Sequence, residues 1–272
     1  MNIPGSSHKA RAARYILDRA LAEGKIIPGQ TTVIEKTGGN FGFGLALACA
    51  DLHIPVELAV GLSFSAVKRR CLELFGASLI GIDALKQGST PREVVEWHLA
   101  NARGLGKSYF YTDQFNNPAN VLAHEIETGP EIIDQLEAWP ELEEISFVGC
   151  AGTGAHLTGI TRALRGDGYR VNAILVEPAG CDSKSGIFVS HKLEGCAVGV
   201  KPPVLDWELI DETIHVDESA MLYAQRQFAT KHGFFIGNTS AACASVAASI
   251  QSRTSRHHKI LTIAYDHGLW YV

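Results

Sequence analysis

Short apolar runs bounded by turn residues alternate along this chain with Ala/Leu-rich segments of helical period. That alternation predicts a mostly parallel α/β fold. Strands are expected at residues 32–35, 55–60, 78–80, 145–149, 171–176, 213–216 and 259–264. Helices are expected at residues 10–21, from about 41, at 64–75, 91–102 and 126–136, after the glycines near 154, and at 219–231 and 239–250. A strand–glycine–helix sequence occurs twice, near 37–44 and near 149–159. Two such units fit two α/β layers that bind ligand at the carboxyl ends of their strands. Residues 181–206 form the longest irregular stretch, with several glycines and Pro202-Pro203. No internal repeat or low-complexity linker interrupts the pattern.

Composition narrows the classes. The chain has 272 residues and an apolar fraction of 46%, enough for one large or two modest cores. A net charge of −5 without a basic stripe argues against nucleic acid as a partner. No apolar stretch is long enough for a membrane span, and the start lacks the regions of a signal peptide. The six cysteines are scattered without a Cys-x-x-Cys pair. They read as free thiols of a cytoplasmic protein, and no metal site is expected.

Three segments carry candidate chemistry. Gly149-Cys150-Ala151-Gly152-Thr153-Gly154 follows an apolar strand and opens a helix, an arrangement that can cradle an anion on free amides. A plain strand–helix turn is an almost equal alternative. A dinucleotide site is a weaker one: the third glycine is missing, although Glu177 stands at roughly the right distance. Thr37-Gly38-Gly39-Asn40 also follows a strand and suits a carboxylate or a phenolic oxygen, or is a turn with Asn40 as helix cap. Lys9 follows Ser6-Ser7-His8 at the start of a helix. A lysine that condenses with an aldehyde must lose its proton, and a partly desolvated helix start favours that. An amine for an aldehyde, a carboxylate loop and a phosphate cradle together point to pyridoxal 5′-phosphate.

At this point the chain resembles the cysteine synthase and cystathionine β-synthase branch of the fold-type II pyridoxal phosphate enzymes, in the tryptophan synthase β superfamily. Pro4 to Arg11 is similar to the family run Asn-Pro-x-Gly-Ser-x-Lys-Asp-Arg. Thr37 to Gly42 is similar to Thr-Ser-Gly-Asn-Thr-Gly, and Gln114 to Asn120 to Gln-Phe-x-Asn-Pro-x-Asn. Glu127 to Ile132, Gly152 to Gly159 and Gly237 to Ala242 resemble three further family runs, in the family's order. The resemblance implies two three-layer αβα domains with mostly parallel twisted sheets. It suggests a smaller domain at residues 36–122 and a larger cofactor-binding domain from 1–35 and 123–272. It also implies Lys9 as the Schiff-base lysine and Asn40 on the cofactor's phenolic oxygen. Thr37, Gly38, Gly39 and Gln114 would then hold the substrate carboxylate. Gly152, Thr153, Gly154, Ala155 and His156 would hold phosphate, and Thr239 would face the pyridine nitrogen.

The implied activity is β-replacement on an activated serine- or cysteine-type amino acid through an aminoacrylate intermediate, in amino acid biosynthesis. β-Elimination, as in a serine or threonine deaminase or a cysteine desulfhydrase, is the alternative, and a non-catalytic relative is a third. A cytoplasmic homodimer is expected. The chain departs from the family near the substrate. Ala10 replaces an Asp, Gly38 or Gly39 a Ser, Phe41 a Thr and His156 a Thr, changes that point to a specialised substrate. Relatives carry some tens of residues ahead of the lysine motif. Either the start is truncated, or another chain or a rearranged dimer is expected to cover Lys9.

Overall fold

Among the described residues, eight strands pair in parallel in two four-stranded sheets. The computed structural model describes residues 7–37 and 39–272. These fall into two compact units that divide between Gln114 and Phe115.

The first unit runs α1 (Lys9–Ala22), β1 (Thr31–Glu35), α2 (Asn40–Asp51), β2 (Val56–Leu58), α3 (Ala66–Leu74), β3 (Ser78–Leu79), α4 (Ile82–Lys86), α5 (Pro91–Ala100) and β4 (Ser108–Tyr111). Its sheet order is β3-β2-β1-β4, with Val33 opposite Val56 on one side and Phe110 on the other. Alternate strand residues face opposite sides. Ile34 and Ala59 therefore pack with Leu85 of α4 and Val94 and Val95 of α5. α1 buries Ala12, Ala13, Ile16, Leu17 and Ala20, one stripe of helical period, and packs along α2. The two helices approach so closely that a Cβ at Gly44 would lie 2.6 Å from the Cα of Ala10. Arg14 then pairs with Asp51 one to two turns further along both helices. α1 and α2 therefore run in the same direction, and their N-termini share one end of the unit. α5 starts on a capping box, with the Thr90 and Glu93 side chains bonded reciprocally to backbone N–H groups.

The second unit runs α6 (Ala119–Ala123), a π-helical turn (His124–Thr128), α7 (Gly129–Leu136), β5 (Glu144–Cys150), α8 (Ala155–Gly166), β6 (Arg170–Pro178), β7 (Glu212–Val216), α9 (Glu218–His232), α10 (Asn238–Ser249) and β8 (His258–Thr262). Its sheet order is β7-β6-β5-β8. The pleat separates two cores. Val148, Cys150, Ile174 and Val176 face Met221, Ala241, Ala242 and Val246 of α9 and α10. Ile145, Phe147 and Leu175 face Leu157, Ile160 and Leu164 of α8. The expected strands at 145–149 and 171–176 are thus central strands covered on both faces, which is why they read as largely apolar runs, each with one polar residue, Ser146 and Asn172.

The compact units divide at 114/115, with β1 hydrogen-bonded between β2 and β4 in the first sheet. Several details differ from the sequence reading. The helix expected at 126–136 is a π-helical turn followed by α7, with Pro130 in the first turn of α7. Proline has no N–H and suits a first turn. β4, α4 and α6 did not register in the pattern. β4 is an edge strand of four residues, none of them fully buried. α4 and α6 are five residues each, too short to show a period. Among the described residues, no helix is long and apolar enough to cross a membrane.

Candidate functional site

In the first unit the sequence-predicted residues gather at the carboxyl end of the sheet. Lys9 is the first residue of α1, with its N–H bonded to the Ser7 hydroxyl at 3.2 Å. The residue is half-buried. Burial of its ammonium nevertheless lowers the pKa by desolvation from 10.5 to about 8. Thr37 follows β1 and is half-buried, Gly39 is the N-cap of α2, and Asn40 is its first residue. Gln114 is buried just beyond β4, which runs parallel to β1. Strand direction brings Thr37, Gly39, Asn40 and Gln114 to one edge, and the α1/α2 pairing places Lys9 at the same end. Gly38 lies outside the described residues. Phe41, which stands where the family has a Thr, is a core residue at 2% exposure.

In the second unit, Gly152, Thr153 and Gly154 link β5 to α8, and Ala155 and His156 open α8. The two glycines are required. A Cβ on Gly152 would collide with the carbonyl oxygen of Gly195, and one on Gly154 would lie 2.5 Å from the Leu205 side chain. Gly154 also has φ +76°, a left-handed conformation. α8 has no side-chain cap, and no described group accepts a hydrogen bond from the amides of Gly152 or Gly154. Free amides at a helix N-terminus, pressed close to neighbouring backbone, form an anion cradle. Thr153 is buried, and its hydroxyl accepts from the Ala155 N–H at 3.4 Å.

The His156 ring is also buried, with Nε2 2.8 Å from the Tyr265 hydroxyl. Its edge meets the His124 ring at 6.0 Å. Thr239 is half-buried in the first turn of α10. Its carbonyl lies 4.0 Å from the Cys150 thiol at the end of β5, so Thr239 sits at the same edge as the glycine loop.

Tyr265 is the residue the pattern did not single out as a tie. Its hydroxyl accepts from the Cys150 N–H at 3.1 Å, and its own N–H donates to Ser240 Oγ at 2.8 Å. It thereby joins the glycine loop to the start of α10. Burial drives its phenol pKa well up, so it stays a neutral hydrogen-bonding group. The only advance signal was its place just after the last strand. Glu177, the acid that kept a dinucleotide reading open, is buried and accepts from the Ser183 N–H at 2.9 Å. It braces the loop that follows β6. Among the described residues, no group of three His, Cys, Asp or Glu could hold a metal ion.

The model of the pyridoxal-phosphate dependent enzymes matches residues 1–266, nearly the whole chain. The chain belongs to that family. A cysteine synthase of Staphylococcus aureus is 31% identical over 274 residues, covering 99% of this chain and 84% of the relative. A cysteine synthase of Aquifex aeolicus is 32% identical over 280 residues, covering 99% and 79%. Among solved structures, an O-ureido-L-serine synthase superposes with a TM-score of 0.84 at 29% identity, covering 98% of this chain and 82% of that one. An O-acetylserine dependent cystathionine β-synthase from Helicobacter pylori superposes with a TM-score of 0.84 at 28% identity, covering 99% and 85%. The protein is therefore a pyridoxal phosphate-dependent enzyme of the cysteine synthase type, with the fold of the fold-type II enzymes. The residues present fit the cofactor: a desolvated amine suits its aldehyde, and a glycine cradle with free amides suits its phosphate.

Proposed function

We propose that this enzyme replaces the β-substituent of an activated serine-type amino acid, using pyridoxal phosphate. The observation that carries the site assignment is the desolvated amine of Lys9, at the sheet end that also holds Thr37, Asn40 and Gln114. When bound, pyridoxal phosphate supplies an aldehyde that captures an amine and a ring that withdraws electrons from the attached carbon.

The roles of this chain's residues follow from their chemistry. At a pKa of about 8, about a tenth of Lys9 is uncharged at pH 7, against about one part in three thousand at the ordinary value. Lys9 would thus be the amine that holds the aldehyde, and its uncharged form would serve as the base for the substrate's α-carbon proton. Gly152, Thr153, Gly154 and Ala155 hold phosphate on backbone amides. His156 adds its main-chain N–H in the first turn of α8, because its ring is engaged with Tyr265. Thr239 would face the ring nitrogen with an uncharged hydroxyl, which would not force a proton onto it. Asn40 would bond the phenolic oxygen, while Thr37, Gly38, Gly39 and Gln114 would grip the substrate carboxylate. Placement in the cytoplasm is supported by six free cysteines, five of them buried. The assembly is read as a homodimer, which sedimentation of the purified protein checks.

The test takes two steps. Purified protein with pyridoxal phosphate should show a visible absorption band that Lys9→Ala abolishes; absence of the band in wild type rejects the enzyme reading. O-Acetylserine, O-phosphoserine, serine and cysteine are then supplied in turn, with and without sulfide or amines. Products that require the nucleophile support replacement. Rapid pyruvate and ammonia without one would favour elimination instead.

A further inference from the structure

Glu35 is a buried carboxyl that the roles above leave without a task. It ends β1 and is fully buried, at 0% exposure. Its two oxygens serve different segments. Oε1 accepts from the Lys36 N–H at 2.9 Å. Oε2 accepts from the Gln114 N–H at 3.2 Å and from the Thr112 hydroxyl at 2.5 Å. Lys36 begins the connection to Thr37, Gly39 and Asn40, and Gln114 follows β4. Thr112 and Gln114 can both reach one oxygen because the chain turns between them at Asp113, whose φ is +43°. A non-glycine residue keeps that left-handed conformation only when its surroundings hold it. Burial pushes the Glu35 pKa up, and the bonds from Thr112, Gln114 and Lys36 oppose the rise.

We propose that Glu35 is a positioning residue for the amino acid substrate, locking Gln114 and the loop after β1 into one geometry for the substrate carboxylate. The proposal rests on the carboxylate-binding roles given above. Its logic is one of acceptors. Each oxygen of Glu35 takes a backbone N–H, and either oxygen can do so whether the carboxyl is ionised or protonated. Glutamine has the same size but only one accepting end. Its NH₂ would face the N–H of Lys36 or of Gln114 and leave that donor unsatisfied in a buried setting.

In the holoenzyme, E35Q should raise KM for the amino acid about tenfold to a hundredfold while kcat stays within about threefold. The visible cofactor band should persist, and amide hydrogen exchange should accelerate at Lys36 and Gln114. T112V, which removes one of the three bonds and keeps the side-chain shape, should raise KM about threefold to tenfold. An unchanged KM in folded E35Q overturns the proposal, as does an unchanged KM in T112V should E35Q fail to fold. Unaltered exchange at both amides, or loss of the cofactor band in parallel with KM, overturns it as well. If the wild-type holoenzyme turns over none of the amino acids, the β-replacement reading fails by itself, and the exchange comparison still decides the role of Glu35.

Discussion

Replacing Lys9 with methionine should stabilise the cofactor-free protein at neutral pH and lose that advantage in alkali. Desolvation lowers the Lys9 pKa from 10.5 to about 8. At about 1.4 kcal/mol per pH unit, the folded state bears about 3 kcal/mol for keeping this ammonium charged at pH 7. Between pH 8 and 10.5 the unfolded chain binds the proton and the folded one releases it, so stability gained from Lys9 rises with pH across that window. Above 10.5 the amine is neutral in both states and the penalty is gone. Methionine has no proton to lose and a similar length, so it removes the penalty at every pH. For a chain of this size, about 3 kcal/mol corresponds to a Tm about 5–10 °C higher for Lys9→Met at pH 7. By pH 11 the two melting curves should nearly coincide. Thermal melts of the two apoproteins followed by circular dichroism from pH 7 to 11 make the comparison. A Tm difference that does not shrink with pH, or a variant less stable than wild type at pH 7, would refute the desolvated-amine argument.

Other consequences can be measured directly. Gly154→Ala combines a left-handed φ with a 2.5 Å approach to Leu205; it should cost about 1–3 kcal/mol in urea unfolding and weaken pyridoxal phosphate binding by fluorescence titration. Thr90→Ala breaks the capping box of α5 and should cost about 1 kcal/mol while leaving cofactor affinity unchanged. Of the six cysteines only Cys71 is not buried, and burial pushes Cys49 up to about 12. An aromatic disulfide reagent at pH 8 should therefore modify one thiol quickly in the native protein and all six after denaturation.

Legibility in the sequence tracked burial. β5 and β6 sit mid-sheet with both faces covered, so their apolar runs stood out. β4 lies at an edge with half-buried aromatic residues, and Ser-Tyr-Phe-Tyr, although it favours a strand by composition, is too short to show an apolar–polar alternation. The glycines at 152 and 154 were visible because close backbone approach permits no other residue. Glu35 was overlooked: a glutamate at a strand end is ordinary until its three donors are placed around it.

Local chemistry along the chain therefore determined the alternation of strands and helices, the two glycine loops and the family to which they belong. A lysine at a helix start, glycines after strands and hydroxyls before helices carry those meanings without long-range context. What only the tertiary structure decided depends on residues far apart in sequence. The Lys9 pKa falls because its ammonium is buried in the folded chain, the His156 ring is held by Tyr265 more than a hundred residues away, and Glu35 meets Gln114 only because β4 pairs beside β1. Desolvation and hydrogen-bond partnership are properties of an assembled neighbourhood, and the order of residues alone does not reveal which neighbours will meet.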